Sequence, residues 1–193
     1  MKIRHLKLND NLTKVAELIY QTDPYIYPYW FYKYSNWKDV LINLIKKKGS
    51  VFYYKNILVA TVDKEIVGIG IIIEQTTNLS YDYKELKAVN KHFEYTINNY
   101  VLPLTEHITT PDVVYISNIC VDKDEIGKGI GSKLIETIKQ AKKQKSLVLH
   151  CLADNQPALK LYLKNNFKIT EYLDGFNAHH KQKPLIVKMV CIN

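Results

Sequence analysis

Apolar residues recur along this chain with two periods, every second position or every third to fourth, and the switches between them mark out the elements. Lys2–Leu8 alternates Ile3, His5 and Lys7 against Arg4, Leu6 and Leu8, as a strand does. Leu12, Val15, Ala16, Leu18 and Ile19 fall at helical spacing, with Asn9 or Asp10 as the expected cap. A second helix is expected over Trp37–Lys47 from Val40, Leu41, Leu44 and Ile45, with Gly49 at its left-handed stop. Val51–Tyr54, Ile57–Val62 and Ile66–Glu74 read as strands, the last two paired as a hairpin through Asp63, Lys64 and Glu65. Leu86, Val89, Phe93, Ile97 and Val101 suggest an extra core helix within Asp82–His107, ended or bent by Pro103.

The second half alternates strand and helix. Val113–Val121 is an apolar, β-branched run that reads as a buried strand. Ile130, Leu134, Ile135, Ile138 and Ala141 mark a helix; Leu147–Leu152 is a strand; Pro157–Asn165 is a helix; Phe167–Tyr172 and Pro184–Cys191 close the chain as strands. No internal repeat, linker or low-complexity tract interrupts this order, so one α/β (α+β) domain spanning 1–193 is expected.

Two stretches carry more than periodicity. Between the Val113–Val121 strand and the next helix lies Gly127-Lys128-Gly129-Ile130-Gly131-Ser132. Alternate glycines let the backbone turn tightly and approach a ligand, and the first N–H groups of a helix lack intrahelical partners, so the loop is an anion site. It is not a P-loop, since the residue five after Gly127 is Ser132, nor a dinucleotide fingerprint, since the residue three after Gly129 is again Ser132. The second stretch is Asp154-Asn155-Gln156-Pro157-Ala158, followed by Leu161-Tyr162 and Asn166-Phe167. Asn155 can cap the helix with Pro157 in its first turn, and Asn166 can stop it in the left-handed conformation.

Together the two stretches closely resemble the acetyl-CoA loop and the following D-N-x-x-A-x-x-L-Y-x-x-x-G-F segment of the GNAT N-acetyltransferases, over roughly Val113–Phe167. The loop pattern of that family is [QR]-x-x-G-x-G/A; Gly129 and Gly131 take its glycines, but Ile126 stands where Gln or Arg is usual. The resemblance implies a mixed central sheet of six to seven strands with a splayed central parallel pair, flanked by helices. It implies acetyl-CoA as co-substrate, with the backbone of Ile119 and Val121 along the pantetheine. The pyrophosphate would sit on the amides of the loop, Ile126, Gly127, Lys128, Gly129, Ile130, Gly131 and Ser132, with Asn155 beside the same cleft. The missing polar side chain at Ile126 should weaken binding without abolishing it.

The family acts by direct attack of an amine on the thioester, so a proton must leave the amine and another reach the departing thiolate. Tyr162 falls on the family's general-acid tyrosine, and a phenol is protonated at neutral pH. Glu74, at the end of the hairpin, is the first candidate for the base and His150 the second. The aromatic segment Thr22–Tyr34 reads as a loop, because Pro24 and Pro28 disfavour helix at Asp23 and Tyr27. In the family this region helps form the acceptor site, so Tyr25 and Tyr29 are expected on the acceptor-pocket wall. The acceptor is a small-molecule or peptide-like amine. The other reading kept is a non-catalytic acyl-CoA-binding sensor or partner module on the same fold.

Composition adds limits. The formal net charge is +8, with lysines spread rather than clustered, which suits an acidic cofactor better than a nucleic acid. No run of about 18 apolar residues exists, so no membrane span is expected. Cys120, Cys151 and Cys191 each fall in a predicted strand without C-x-x-C spacing, which points away from zinc and disulfides and towards a reducing cytoplasm. His179 and His180 sit beside lysines in a polar link and read as solvated rather than metal-binding. A homodimer is compatible with these features.

Overall fold

The computed structural model describes residues 1–31, 35–74, 110–175 and 185–192. The described residues form seven strands, β1 Lys2–His5, β2 Ile57–Val62, β3 Glu65–Ile73, β4 Val113–Val121, β5 Ser146–Leu152, β6 Lys168–Asp174 and β7 Leu185–Cys191. Five helices accompany them, α1 Leu12–Gln21, α2 Ile26–Trp30, α3 Trp37–Lys46, α4 Ile130–Ala141 and α5 Gln156–Lys164. The sheet order is β1-β2-β3-β4-β5-β7-β6. Every neighbouring pair is antiparallel except β4 and β5, which run parallel. The expected mixed sheet with a central parallel pair is therefore present.

The sheet divides the core in two. On one face Val15, Leu18 and Ile19 of α1 pack with Leu41 and Ile45 of α3 and with Ile57, Val59, Ile69 and Ile71 of the strands. On the other face Leu134, Ile135 and Ile138 of α4 and Leu159 and Tyr162 of α5 pack with Val114, Ile116, Leu147, Leu149 and Met189. Pleating sends successive side chains to opposite faces, so each central strand feeds both clusters.

Several elements differ from the sequence expectation for local reasons. The cap of α1 is Asn11, which accepts from the Lys14 N–H at 3.0 Å; Asp10 is instead held by Arg4 and the Lys7 N–H. The segment around Pro24 and Pro28 is not all loop. The short helix α2 forms there because Pro28 lies in its first turn, where its missing N–H would be unpartnered anyway. Asp23 Oδ1 accepts the Tyr25 and Ile26 N–H groups, both at 2.8 Å, and so starts that helix. Val51–Tyr54 is not a strand but turns leading into a 3₁₀ helix at Tyr54–Asn56. The β2–β3 hairpin turns on two residues, Asp63 (φ 50°) and Lys64 (φ 74°), the primed-turn geometry that matches strand twist. Gly49 is left-handed as expected (φ 89°), but α3 ends earlier, at Lys46. The helix expected within Asp82–His107, and His179 and His180, lie outside the described residues.

Candidate active site

Two irregularities in the sheet create the site. The first is that β4 and β5 pair only over Val113–Ser146, Val114–Leu147 and Tyr115–Val148, although β4 continues to Val121 and β5 to Leu152. Past Tyr115 the two strands part, leaving a fork in mid-sheet whose inner backbone edges do not pair with each other. The second is a bulge in β4: Asn118 pairs with Ile71 and Ile116 with Ile72, so Ser117 is the extra residue. It reverses the pleat. Before it, Val114 and Ile116 face α4 and α5; after it, Ile119 and Val121 do. Cys120 then faces α1, and Asn118 reaches Thr22 Oγ1 (2.7 Å) and the Tyr27 hydroxyl (3.2 Å). Ser117 donates to Asn118 Oδ1 at 2.7 Å. One polar network thus ties the bulge to the end of α1 and to α2.

At the open end of the fork lies the glycine loop. Asp122 caps a 3₁₀ turn, Lys123–Glu125, and is paired with Lys14 of α1. Gly127 (φ 87°) and Gly129 (φ 79°) are left-handed, and a Cβ on either would meet nothing within 4 Å. The loop surface is therefore bare backbone facing open space. Gly129 caps α4, whose first hydrogen bond runs from the Lys133 N–H to the Gly129 carbonyl. The N–H groups of Ile130, Gly131 and Ser132 precede that bond and are available to an anion. Gly131 differs: a Cβ there would lie 2.9 Å from Leu161 Cδ2, so this glycine lets α4 approach α5. Ser132 Oγ accepts from Asn165 Nδ2 at 3.1 Å across the same interface. Ile126 is 68% exposed at the loop's entry.

Helix α5 starts and ends as its sequence suggests. Asn155 Oδ1 accepts the Ala158 N–H at 3.2 Å, which commits that oxygen to the cap. Asn166 is left-handed (φ 66°), and the Phe167 N–H reaches back to the Tyr162 carbonyl at 3.1 Å. Tyr162 is 8% exposed, stands edge-on to Phe167, and its hydroxyl has no hydrogen-bond partner among the described residues. Burial drives its pKa far above the ordinary phenol value, with the Cys151 and Cys120 thiols adding to the effect. Tyr162 shares a core cluster with Cys151 of β5 and with Ile119 and Val121 of β4, so it lies beside both arms of the fork. Burial also pushes each thiol up to about 11, helped by Asp122 at Cys120 and by Asp154 at Cys151.

The remaining expected residues are placed less centrally. Glu74 follows β3 on the α4 side, bound to Lys142 and, at 3.1 Å, to Lys145. Burial raises its pKa, but the two ammonium groups outweigh this and hold the carboxyl below its usual range. Tyr25 and Tyr29 are half-buried on α2 and its entry, and Tyr29 packs against the α1–α3 core. The aromatic of this segment that reaches the bulge is Tyr27, which sequence reasoning passed over. Asn118 was passed over too, although Ser117-Asn118 was a readable signal: two consecutive polar residues break an otherwise apolar strand. His150 lies on β5 with its Nδ1 3.1 Å from the Tyr115 hydroxyl. Among the described residues no group of three or more His, Cys, Asp or Glu could hold a metal ion. No described helix is long and apolar enough to cross a membrane.

Comparison with known proteins agrees with this geometry. A family model described as acetyltransferase (GNAT) family matches residues 15–167. A crystal structure of an N-acetyltransferase from Staphylococcus aureus Mu50 superposes with a TM-score of 0.67 at 21% identity, covering 99% of this chain and 100% of the other. The structure of yncA from Salmonella typhimurium with its cofactor acetyl-CoA superposes with a TM-score of 0.60 at 13% identity, covering 100% and 93%. The curated protein GCN5-related N-acetyltransferase 7, chloroplastic, of Arabidopsis thaliana is 30% identical over 73 residues, 36% of this chain. That match spans only 27% of the plant protein's length.

Proposed function

The chain belongs to the acetyltransferase (GNAT) family, and from that premise we propose that it passes an acetyl group from acetyl-CoA to the amine of a small-molecule or peptide-like acceptor by direct attack. The observation that carries this reading is the fork: a parallel pair that parts beyond Tyr115 and Val148 and opens onto a bare glycine loop at a helix N-terminus. The cradle fits a pyrophosphate, since left-handed Gly127 and Gly129 leave its surface free of side chains and the helix start supplies N–H donors. The backbone of Ile119 and Val121, past the bulge, lines the β4 arm. Acetyl-CoA supplies the activated acyl group as a thioester.

The chain's own residues then have three tasks. The loop and β4 hold the cofactor in place, which converts a bimolecular encounter into an oriented one. Tyr162 keeps its proton at every physiological pH and offers it as a donor beside the fork. Cys120 and Cys151 stay protonated thiols, which disfavours an acyl-cysteine route and favours direct attack. Tyr25 and Tyr29 belong to the acceptor side, with Tyr27 fixing their segment to β4. Glu74 is the carboxylate expected as base, but its pairs with Lys142 and Lys145 suit it better to anchoring the end of α4.

The test is release of CoA thiol from acetyl-CoA across a panel of amines, with mass spectrometry of the products. Acceptor-dependent thiol release with a product heavier by one acetyl group supports the proposal; none with any amine, despite tight CoA binding, favours a non-catalytic acyl-CoA-binding module. Ile126 in place of Gln or Arg is the feature that keeps this second reading open.

A further inference from the structure

At the root of the fork, where β4 and β5 cease to pair, two side chains meet on the face towards α1 and α2. Tyr115 is the last β4 residue in register with β5, opposite Val148. Its neighbours Val114 and Ile116 pack towards α4 and α5, so Tyr115 points the other way. His150 lies two residues further along β5, between Leu149 and Cys151, which also pack towards α4 and α5. The pleat therefore puts both on the face where Asn118 contacts Thr22 and Tyr27. Tyr115 Oη and His150 Nδ1 are 3.1 Å apart, with ring centroids at 5.7 Å.

We infer that His150 is the proton acceptor of the transfer and that Tyr115 is the positioning residue that holds it. This rests on the acetyltransferase reading. With Nδ1–H donating to the Tyr115 oxygen, Nε2 carries the free lone pair of a neutral imidazole. The attacking nitrogen uses its electron pair to form the new bond to the acetyl carbon. The carbon–sulfur bond breaks with its electron pair leaving on CoA as a thiolate that takes a proton from Tyr162, which solvent replaces. The N–H bond acidified by the attack breaks, its proton passing to Nε2. The imidazolium then returns the proton to solvent. The ring is neutral at working pH, because burial, with a smaller effect from Lys188 opposite it on β7, lowers its pKa to about 4. Lys188 is itself 3.5 Å from Glu171 of β6. A base this weak does not strip a free ammonium ion; it accepts the proton only as the nitrogen gains positive charge, so the acceptor must arrive as a neutral amine.

The test has two parts. In the cofactor-free protein, nitrogen-15 NMR should show the Nδ1–H tautomer of His150, shifting towards Nε2–H in Tyr115→Phe. In turnover, His150→Ala and His150→Gln should both fall by about 10²–10⁴, with CoA affinity and melting temperature near wild type. Added imidazoles should restore rate to His150→Ala, the more basic ones more strongly. Wild-type turnover in either variant, or a loss that no imidazole restores, overturns the base role while leaving acetyl transfer intact. A wild type that acetylates no amine overturns the acetyltransferase reading and this inference with it.

Discussion

At the scale of single residues, two polar groups separate packing from chemistry. Tyr162 has its ring against Phe167 and its hydroxyl without a partner among the described residues, so Tyr162→Phe removes a proton donor and leaves nothing unsatisfied. Turnover should fall by about 10²–10⁴, while calorimetric CoA affinity and the melting temperature stay near wild type. A variant with full turnover would return Tyr162 to the core. Asn118 is the opposite case. Its amide bonds Thr22 and Tyr27 from within the sheet, so Asn118→Ala should lower unfolding free energy in urea by about 1–3 kcal/mol.

At the scale of elements, the loop from Ile126 to the start of α4 is where backbone conformation bears on the proposed binding of CoA. Gly129 caps α4 with φ 79°, a region that costs an L-residue about 1–2 kcal/mol and a β-branched one more. Gly129→Val should therefore weaken CoA binding by at least about tenfold, while Gly129→Asn, whose side chain tolerates this conformation, should lose much less. Equal affinities by calorimetry would remove the loop from the binding site. Ile126 is 68% exposed, so Ile126→Arg should leave stability unchanged and tighten CoA by about 0.3–1 kcal/mol, an exposed charge being worth less than a buried one. Salt should erase that gain.

At the scale of the whole molecule, buried charge sets the response to acid. The folded pKa of His150 lies near 4, below its ordinary 6.5, so between these values the unfolded chain binds a proton that the folded one does not. Stability is thus fully held above pH 6.5 and declines as pH falls towards 4, by at most about 3 kcal/mol from this group. Asp10 and Glu74, also held low, add losses below their ordinary range, and Asp23, raised by burial, opposes them. Urea unfolding from pH 7 to pH 4.5 should show the decline, and His150→Gln should flatten it.

How much of this was legible in the sequence follows from the range of the forces involved. Local patterns determined β4 to the residue, the glycine turns, the Asn155 cap, the left-handed Asn166 and the tyrosine two turns into α5, because each depends on neighbours a few positions away. They also singled out Tyr162 and the loop, which the structure places at the two sides of the fork's α4–α5 face. Other features were decided by contacts between distant segments. The strand β7 inserts between β5 and β6, the short helix α2 forms around Pro28, and Glu74 is captured by two lysines about 70 positions on. Above all, the bulge at Ser117 takes its meaning from β3: only that register reverses the pleat of β4 and sends Asn118 to Tyr27, while the short parallel register with β5 sets Tyr115 beside His150 where the strands part.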